Sequence, residues 1–475
     1  MSQSVLREIP SVTSVLEEPR VEKLIAGRQR PWITRVVRQV IADLRQELQR
    51  HKHPAALTKD ALLKLVVDRV LVFREMLLGP TLRRVTNGTG VIVHTNLGRS
   101  LYPDLAVEWM EQAARFNVDL EFDLEAGTRG HRGRKVEAKI ALLTGAEDAL
   151  LINNNAAAIW LAVRCVAGKG RVVLSRGETV AIGGSFRMHE ILAETGCELV
   201  EVGTTNRTSL DDYRQALTPG AVLLKVHRSN FDVVGFTEEV ALPELAELSR
   251  EGGHPLLYDA GSGALFPYTE LGLPYEPTLS EDLAAGPDLV TCSGDKLLGG
   301  GQAGFVLGRA DLIAALRRHP MRRAFRVDKT TMAAADAVLT LYLGAEDVPP
   351  LPTLIQVALP VAELQRRAEQ LLAELASAAP ADWSGSVVAG ESSVGGGSFS
   401  NASLPTVLLL WQGPKSVLET NHARLRQGDP ALVTRMNQDG LSVDLRSVIE
   451  EEIPLIAAAF RRIWGTGTDA EQAHD

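Results

Sequence analysis

Cysteine is scarce in this chain of 475 residues: Cys165, Cys197 and Cys292 are too few and too scattered for a disulfide framework or a cysteine-bound zinc. All three read as small buried apolar residues. Long apolar runs are missing too, and no stretch approaches the span of a membrane helix. The opening Met1-Ser-Gln-Ser-Val-Leu-Arg-Glu8 lacks the charged-then-apolar order of a secretory signal, so the cytoplasm is the expected compartment. A basic excess is absent overall, the formal net charge being −9, which argues against a generally basic nucleic-acid binder. There is no internal repeat.

The net charge conceals an asymmetry. Residues 1–85 hold 16 basic and 9 acidic side chains, an excess of +7, against 34 basic and 50 acidic in the remainder. A polyanionic partner would meet the N-terminal part first, although a solvated helical domain would show the same modest excess. Within it, residues 32–48 place Ile33, Val36, Val37, Val40, Ile41, Leu44 and Leu48 at helical spacing with Arg35, Arg38 and Arg45 opposite. A loop at 51–54 and a second helical run over 58–78 should complete a small helical domain before Gly79-Pro80 breaks it.

From about Val85 to Arg309 the pattern changes to short apolar runs alternating with helical stretches. Val172-Val-Leu174, Ala221-Val-Leu-Leu224, Leu256-Leu-Tyr258 and Leu289-Val290 are the clearest, and the alternation predicts crossover units around a mainly parallel sheet. From about Ala334 come long helical patterns, including 361–378, then a Gly/Ser stretch at 390–398 that reads as a loop. Strand-like runs at 406–411 and 441–445 suggest a smaller α/β domain.

Several of the central runs end in polar turns, which a parallel sheet would gather at its carboxyl edge, where ligands bind. Val290-Thr-Cys-Ser-Gly-Asp-Lys-Leu-Leu-Gly-Gly-Gly301 delivers Lys296 to such an end, a candidate Schiff-base lysine. Standing alone, it would more often be a solvated charge. Pro255-Leu-Leu-Tyr-Asp-Ala-Gly-Ser-Gly263 delivers Asp259, which alone could be a cap or turn residue. Together they supply what pyridoxal phosphate requires, an amine for its aldehyde and a carboxylate for its pyridinium nitrogen. Asn154, Asn155 and Ala156 stand where a strand gives way to an alanine-rich helix, a place for a phosphate on free amides or for an ordinary capped turn. Asn230, after a fourth strand, could donate to the cofactor's phenolate oxygen.

Seven blocks in order now carry a resemblance: His94-Thr-Asn-Leu-Gly-Arg99, Arg129-Gly-His-Arg132, Asn153-Asn-Asn-Ala-Ala157, Ser175-Arg-Gly-Glu178, Val202-Gly-Thr-Thr-Asn-Arg207, Ser293-Gly-Asp-Lys-Leu-Leu298 and His319-Pro-Met-Arg-Arg-Ala-Phe-Arg326. Over nearly its full length the chain resembles the bacterial selenocysteine synthases, pyridoxal-phosphate-dependent L-seryl-tRNA(Sec) selenium transferases. The resemblance implies a fold-type I pyridoxal-phosphate transferase divided into a tRNA-binding helical domain at 1–80, a large cofactor-binding domain at 81–333 and a small α/β domain at 334–475. It makes Lys296 the cofactor lysine and Asp259 the pyridinium partner, with Ser293 a further cofactor contact. It assigns Arg99, Arg323 and Arg326 to the anionic donor selenophosphate, with Arg129, His131 and Arg132 as weaker candidates; guanidinium forks suit phosphoryl oxygens. Without it, Arg322, Arg323 and Arg326 read as a solvated helix face.

The reaction so implied converts L-seryl-tRNA(Sec) to L-selenocysteinyl-tRNA(Sec) by β-elimination and selenium addition through a dehydroalanyl-tRNA. The partners are the seryl-tRNA and selenophosphate, with no membrane. The assembly implied is a homo-oligomer, a decameric ring of dimers, with Thr204 and Thr205 near a subunit contact. The family commonly has proline where this chain has Gly301. The competing readings are a related pyridoxal-phosphate lyase acting on a free amino acid or amino-sugar acid, and a non-catalytic tRNA-binding protein on the same scaffold.

Overall fold

The computed structural model describes residues 6–25, 29–50, 58–182 and 186–465, so the expected loop at 51–54 lies outside the described residues. The chain forms two compact units, Met1–Arg84 and Val85–Asp475. In the first, helix α1 (Arg30–Arg50) buries the seven aliphatic side chains whose spacing predicts it. Arg35, Arg38 and Arg45 are exposed on its other side. Helix α2 (Lys59–Leu78) opens on Thr58, whose hydroxyl accepts from the Ala61 amide at 3.3 Å, and closes at Gly79. It buries Leu62, Val66, Val67 and Val70, which pack with α1 around one aliphatic core.

The second unit is built on a seven-stranded sheet: β1 (Asp148–Ile152), β2 (Arg171–Ser175), β3 (Glu198–Val202), β4 (Val222–Val226), β5 (Leu256–Gly261), β6 (Leu289–Ser293) and β7 (Gly304–Gly308), in spatial order β1-β7-β6-β5-β4-β2-β3. All pairings are parallel except those of β7, which runs against both β1 and β6. Central strands β4 to β7 are almost continuously apolar because helices cover both faces, leaving one aliphatic core on each side of the sheet. Cys292 is buried on β6, whereas Cys165 and Cys197 are only half-buried; none is in a disulfide.

A second, five-stranded sheet joins Arg435–Asn437, Gly440–Asp444, Leu404–Gln412, Ser384–Gly395 and Val91–Val93 in that order. The Gly/Ser stretch read as a loop therefore continues a strand as far as Gly395. Gly390 has the reason: a Cβ there would meet Leu408 Cγ at 2.6 Å, so the missing side chain lets paired strands approach. At the hub of this sheet the buried Asp444 carboxylate accepts from Ser392 at 2.7 Å, Thr406 at 3.0 Å and Arg435 at 3.2 Å. Its own amide donates to Gly88 at 3.0 Å, tying residues ahead of the large sheet to the C-terminal one. Among the described residues no helix is long and apolar enough to cross a membrane, and no group of three His, Cys, Asp or Glu could hold a metal.

Helix α3 (Asn155–Val166) begins directly after β1, against the start of β7. A Cβ on Gly304 would overlap the Asn154 carbonyl and lie 2.8 Å from the Asn155 nitrogen, so glycine fixes how closely β7 approaches that turn. Gly304→Ala should cost about 2 kcal/mol through overpacking. Urea unfolding measures it, and an unchanged midpoint would show that the turn is looser than described.

Candidate active site

Because β1, β4, β5 and β6 are mutually parallel, their carboxyl ends lie at one edge of the sheet. Asp259 sits there on β5, 4% exposed. Its Oδ1 accepts from Asn155 Nδ2 at 2.8 Å, Thr291 Oγ1 at 3.0 Å and the Gly261 amide at 3.3 Å, while Oδ2 has no hydrogen bond among the described residues. Burial pushes the acid's pKa above the usual carboxylate range despite these donors and Lys296. One oxygen is thus saturated and the other is left for a ligand.

Lys296 follows β6 and is also 4% exposed. No group among the described residues hydrogen-bonds its Nζ. Burial lowers the pKa of its amine, Asp259 opposes that and Arg99 adds to it, with the net shift downward. Such a lysine is easier to deprotonate, as a nucleophile or base needs. Its position is fixed by neighbours: Ser100 Oγ donates to the Lys296 carbonyl at 2.7 Å, and the Leu297 amide donates to Ser262 O at 3.1 Å. Arg99, at φ +66° after Gly98, reaches Asp295 Oδ2 at 2.7 Å. Ser293 is buried at the end of β6.

At the end of β1, Asn154 caps α3 by accepting from Ala157 N at 2.8 Å. The amides of Asn155 and Ala156, in the first turn, have no partner among the described residues, and Asn155 Oδ1 and Asn153 Oδ1 are buried without one. Asn230 donates through Nδ2 to Ala181 O at 2.8 Å, which leaves its buried Oδ1 unpaired. Lys296, Asp259, Asn154, Asn155, Ala156, Ser293 and Arg99 therefore come together, joined by Thr291, which no motif or spacing singles out. The same holds for Glu276, whose buried carboxylate accepts from His227 Nε2 at 3.1 Å and Ser262 Oγ at 2.7 Å. Burial alone would lower the His227 pKa, but Glu276 more than offsets it and holds the ring's pKa above the usual range. Glu276 lies in a loop, where it has no pattern to be found by.

The other arginines gather elsewhere in the unit. A cavity of about 240 Å³ is lined by Glu121, Arg129, His131, Arg132, Arg317, Arg322 and Arg326. Arg323 is exposed and makes no ion pair among the described residues; Arg322 is the one turned into the cavity. Thr204 and Thr205 lie at an exposed turn in which Thr204 N donates to Arg207 O at 2.8 Å.

The mixed, mainly parallel sheet with an amine and a carboxylate at its carboxyl edge defines an α/β enzyme of the fold-type I kind. The solved D-glucosaminate-6-phosphate ammonia-lyase shares the fold, with a TM-score of 0.58 at 22% identity over 84% of this chain and 99% of that one. Sequence comparison is more specific. A family model described as L-seryl-tRNA selenium transferase matches residues 85–449, and one described as selenocysteine synthase N terminal matches 6–45. The L-seryl-tRNA(Sec) selenium transferase of Carboxydothermus hydrogenoformans is 41% identical over 95% of this chain and 96% of its own length. That of Geobacter sulfurreducens is 40% identical over 97% and 99%. The chain belongs to the L-seryl-tRNA selenium transferase family.

Gly301, where the resemblance leads one to expect proline, has a local cause: a Cβ there would overlap the Tyr102 phenol. Tyr102 is half-buried, and burial, with Asp295 and Asp328 nearby, raises its pKa. Gly301→Ala should cost about 1 kcal/mol by displacing that ring. In a Tyr102→Ala background most of the cost should vanish. Urea denaturation of the four-member cycle reads the coupling, and strictly additive effects would refute the steric account.

Proposed function

We propose that this chain converts L-seryl-tRNA(Sec) to L-selenocysteinyl-tRNA(Sec), taking selenium from selenophosphate, in the cytoplasm. The observation that carries the reading is the pairing of Lys296 with Asp259 at one sheet edge in a chain of this family. Pyridoxal phosphate fits the residues there. Lys296 would hold it covalently through an amine that burial keeps easy to deprotonate, and Asp259 would hold its ring nitrogen with the carboxylate oxygen left unbonded. The amides of Asn155 and Ala156, set by the Asn154 cap, would take its phosphate, with Ser293 near the ring; Asn230 would donate to the phenolate oxygen only by giving up its bond to Ala181 O. When bound, the cofactor supplies an electron sink for the bond-breaking at the seryl α-carbon.

The chain's own groups do the rest. Lys296 would serve as general base for the α-proton of the seryl group. Buried Asp259, unable to share its charge with water, would hold a proton on the ring nitrogen. Thr291 and Asn155 hold that carboxylate in place. Arg99 beside Lys296, Arg326 in the arginine-lined cavity and the exposed Arg323 are the groups proposed for the donor's phosphoryl oxygens, and Arg323 would have to turn inward to join them. The division into domains at 1–80, 81–333 and 334–475 accompanies this reading, with the first meeting the tRNA through Arg35, Arg38 and Arg45. A decameric ring, with Thr204 and Thr205 at a contact, is the assembly proposed.

Two expectations follow. Incubation with seryl-tRNA(Sec) and selenophosphate should yield selenocysteine on the tRNA, and Lys296→Ala should lose both turnover and the bound cofactor's visible absorbance. Serine recovered unchanged with the intact enzyme would overturn the assignment. Replacing Arg35, Arg38 and Arg45 together by glutamate should weaken tRNA binding at least about tenfold and flatten its salt dependence, cofactor absorbance being preserved. Equal tRNA affinity in a filter-binding titration would remove these residues from the interface.

A further inference from the structure

Residues 262–276 leave the carboxyl end of β5 and return to it, and on the way they hold the neighbour of Lys296 from both sides. Ser262 O accepts from the Leu297 amide at 3.1 Å, and the buried Tyr268 hydroxyl donates to Leu297 O at 2.9 Å. Glu276 closes this strap by accepting from Ser262 Oγ at 2.7 Å. The same carboxylate accepts from His227 Nε2, at 3.1 Å on one oxygen and 3.2 Å on the other, and the His227 amide donates to Asp259 O at 2.9 Å. Glu276 thus reaches both strand ends that carry the site, that of Lys296 through Ser262 and that of Asp259 through His227.

Closing the strap does not require an acid. A glutamine would accept from Ser262 in the same way, whereas a carboxylate 8% exposed gives up hydration that its two donors must replace. What the acid adds is charge. Asp282, 4% exposed in the same pocket, adds less, because burial pushes it up to about 7, Glu276 and Glu281 reinforcing that and His227 opposing it. The charged groups that face Lys296 are Asp259, Arg99, Asp295 and Glu276. Asp295 is answered by Arg99 at 2.7 Å, and Asp259 has its free oxygen turned to a ligand. Glu276 is the one left to balance the lysine.

We propose that Glu276 is a positioning residue for Lys296: the strap it closes sets where the amine stands, and its charge, just behind Ser262, balances that of the lysine in its protonated form. Two separate contributions follow. The bond to Ser262 fixes the path of residues 296 and 297 and so the aim of the amine, which a displacement of a fraction of an ångström would spoil. The charge favours the protonated nitrogen and opposes the desolvation of the amine. His227 holds the carboxylate on its other side, so that the strap is referred to the strand pair that carries Asp259. What the lysine then does to a seryl group rests on the proposed function; where it stands and how firmly it holds a proton do not.

The test is a pH titration of the visible absorbance of the full-length, cofactor-loaded protein without tRNA, followed by turnover of the same preparations. Glu276→Gln keeps an acceptor for Ser262 and removes the charge, so the midpoint, which follows the proton on the nitrogen of Lys296, should fall by at least about half a pH unit. Ser262→Ala keeps the charge and opens the strap, and should leave the midpoint within about 0.2 of the parent's. In both variants kcat should drop by about tenfold while the KM for seryl-tRNA stays within about twofold, as expected when aim rather than binding is lost. A midpoint unmoved in Glu276→Gln, or a parental kcat in Ser262→Ala, would overturn the proposal. Should Glu276→Gln fail to load the cofactor, the kcat of Ser262→Ala decides alone. Midpoints that behave as expected in a protein that transfers no selenium would count against the proposed function and not against the role of Glu276.

Discussion

A carboxylate buried inside a parallel sheet is the constraint around which this site is arranged. Asp259 has given up water, and a charge in that position persists only if donors replace the lost hydration. The donors come from three places in the sequence: the first turn of α3, the middle of β6 and the Gly261 amide. Satisfying Asp259 therefore fixes where α3 starts, how β6 registers against β5 and how the chain turns after β5. Lys296, a few residues beyond Thr291, inherits its position from the same register.

The second unit treats positive charge in two opposite ways. Near Asp259 a single lysine is desolvated, which loosens its proton although the carboxylate opposes that, and the opposite charges keep the site close to neutral. In the cavity beside β1, guanidiniums that cannot give up their protons are crowded together, and the charge persists. The first arrangement suits proton transfer and covalent attachment; the second suits holding an anion that must not be protonated. Both lie in one compact unit, so a single folding event prepares them together.

Much of the fold was legible because a parallel sheet buried on both faces writes itself as apolar runs ending in polar turns. Asp259, Lys296 and Asn154 to Ala156 each follow such a run. Thr291 was illegible because it sits within a run and looks like a β-branched strand residue; only the pairing of β5 with β6 gives its hydroxyl a carboxylate to meet. Glu276 and Glu121 lie in loops, where one glutamate resembles another until distant segments close on it. Arg322 and Arg323 are adjacent in sequence, and the tight turn over Pro320–Arg323 decides which of them faces inward. The strand through Gly390 was misread since glycine weakens a strand by composition but here permits a close approach.

One further property follows from the position of β1 at the border of the sheet. Among the described residues its outward backbone groups are covered by no other strand: Leu151 N donates to Glu137 at 3.1 Å, Asn153 N to Phe325 O at 3.0 Å, and Ala149 O accepts from Arg317 at 2.6 Å. Its inward partner, β7, is roughly a hundred and fifty residues further along the chain, a contact of high sequence separation. On a ribosome, the aliphatic segment at 148–152 thus emerges long before either of its borders can be closed. It stays a bare strand until residues 304–325 are made, the interval in which a nascent chain of this kind is most exposed to wrong pairing and most dependent on chaperones.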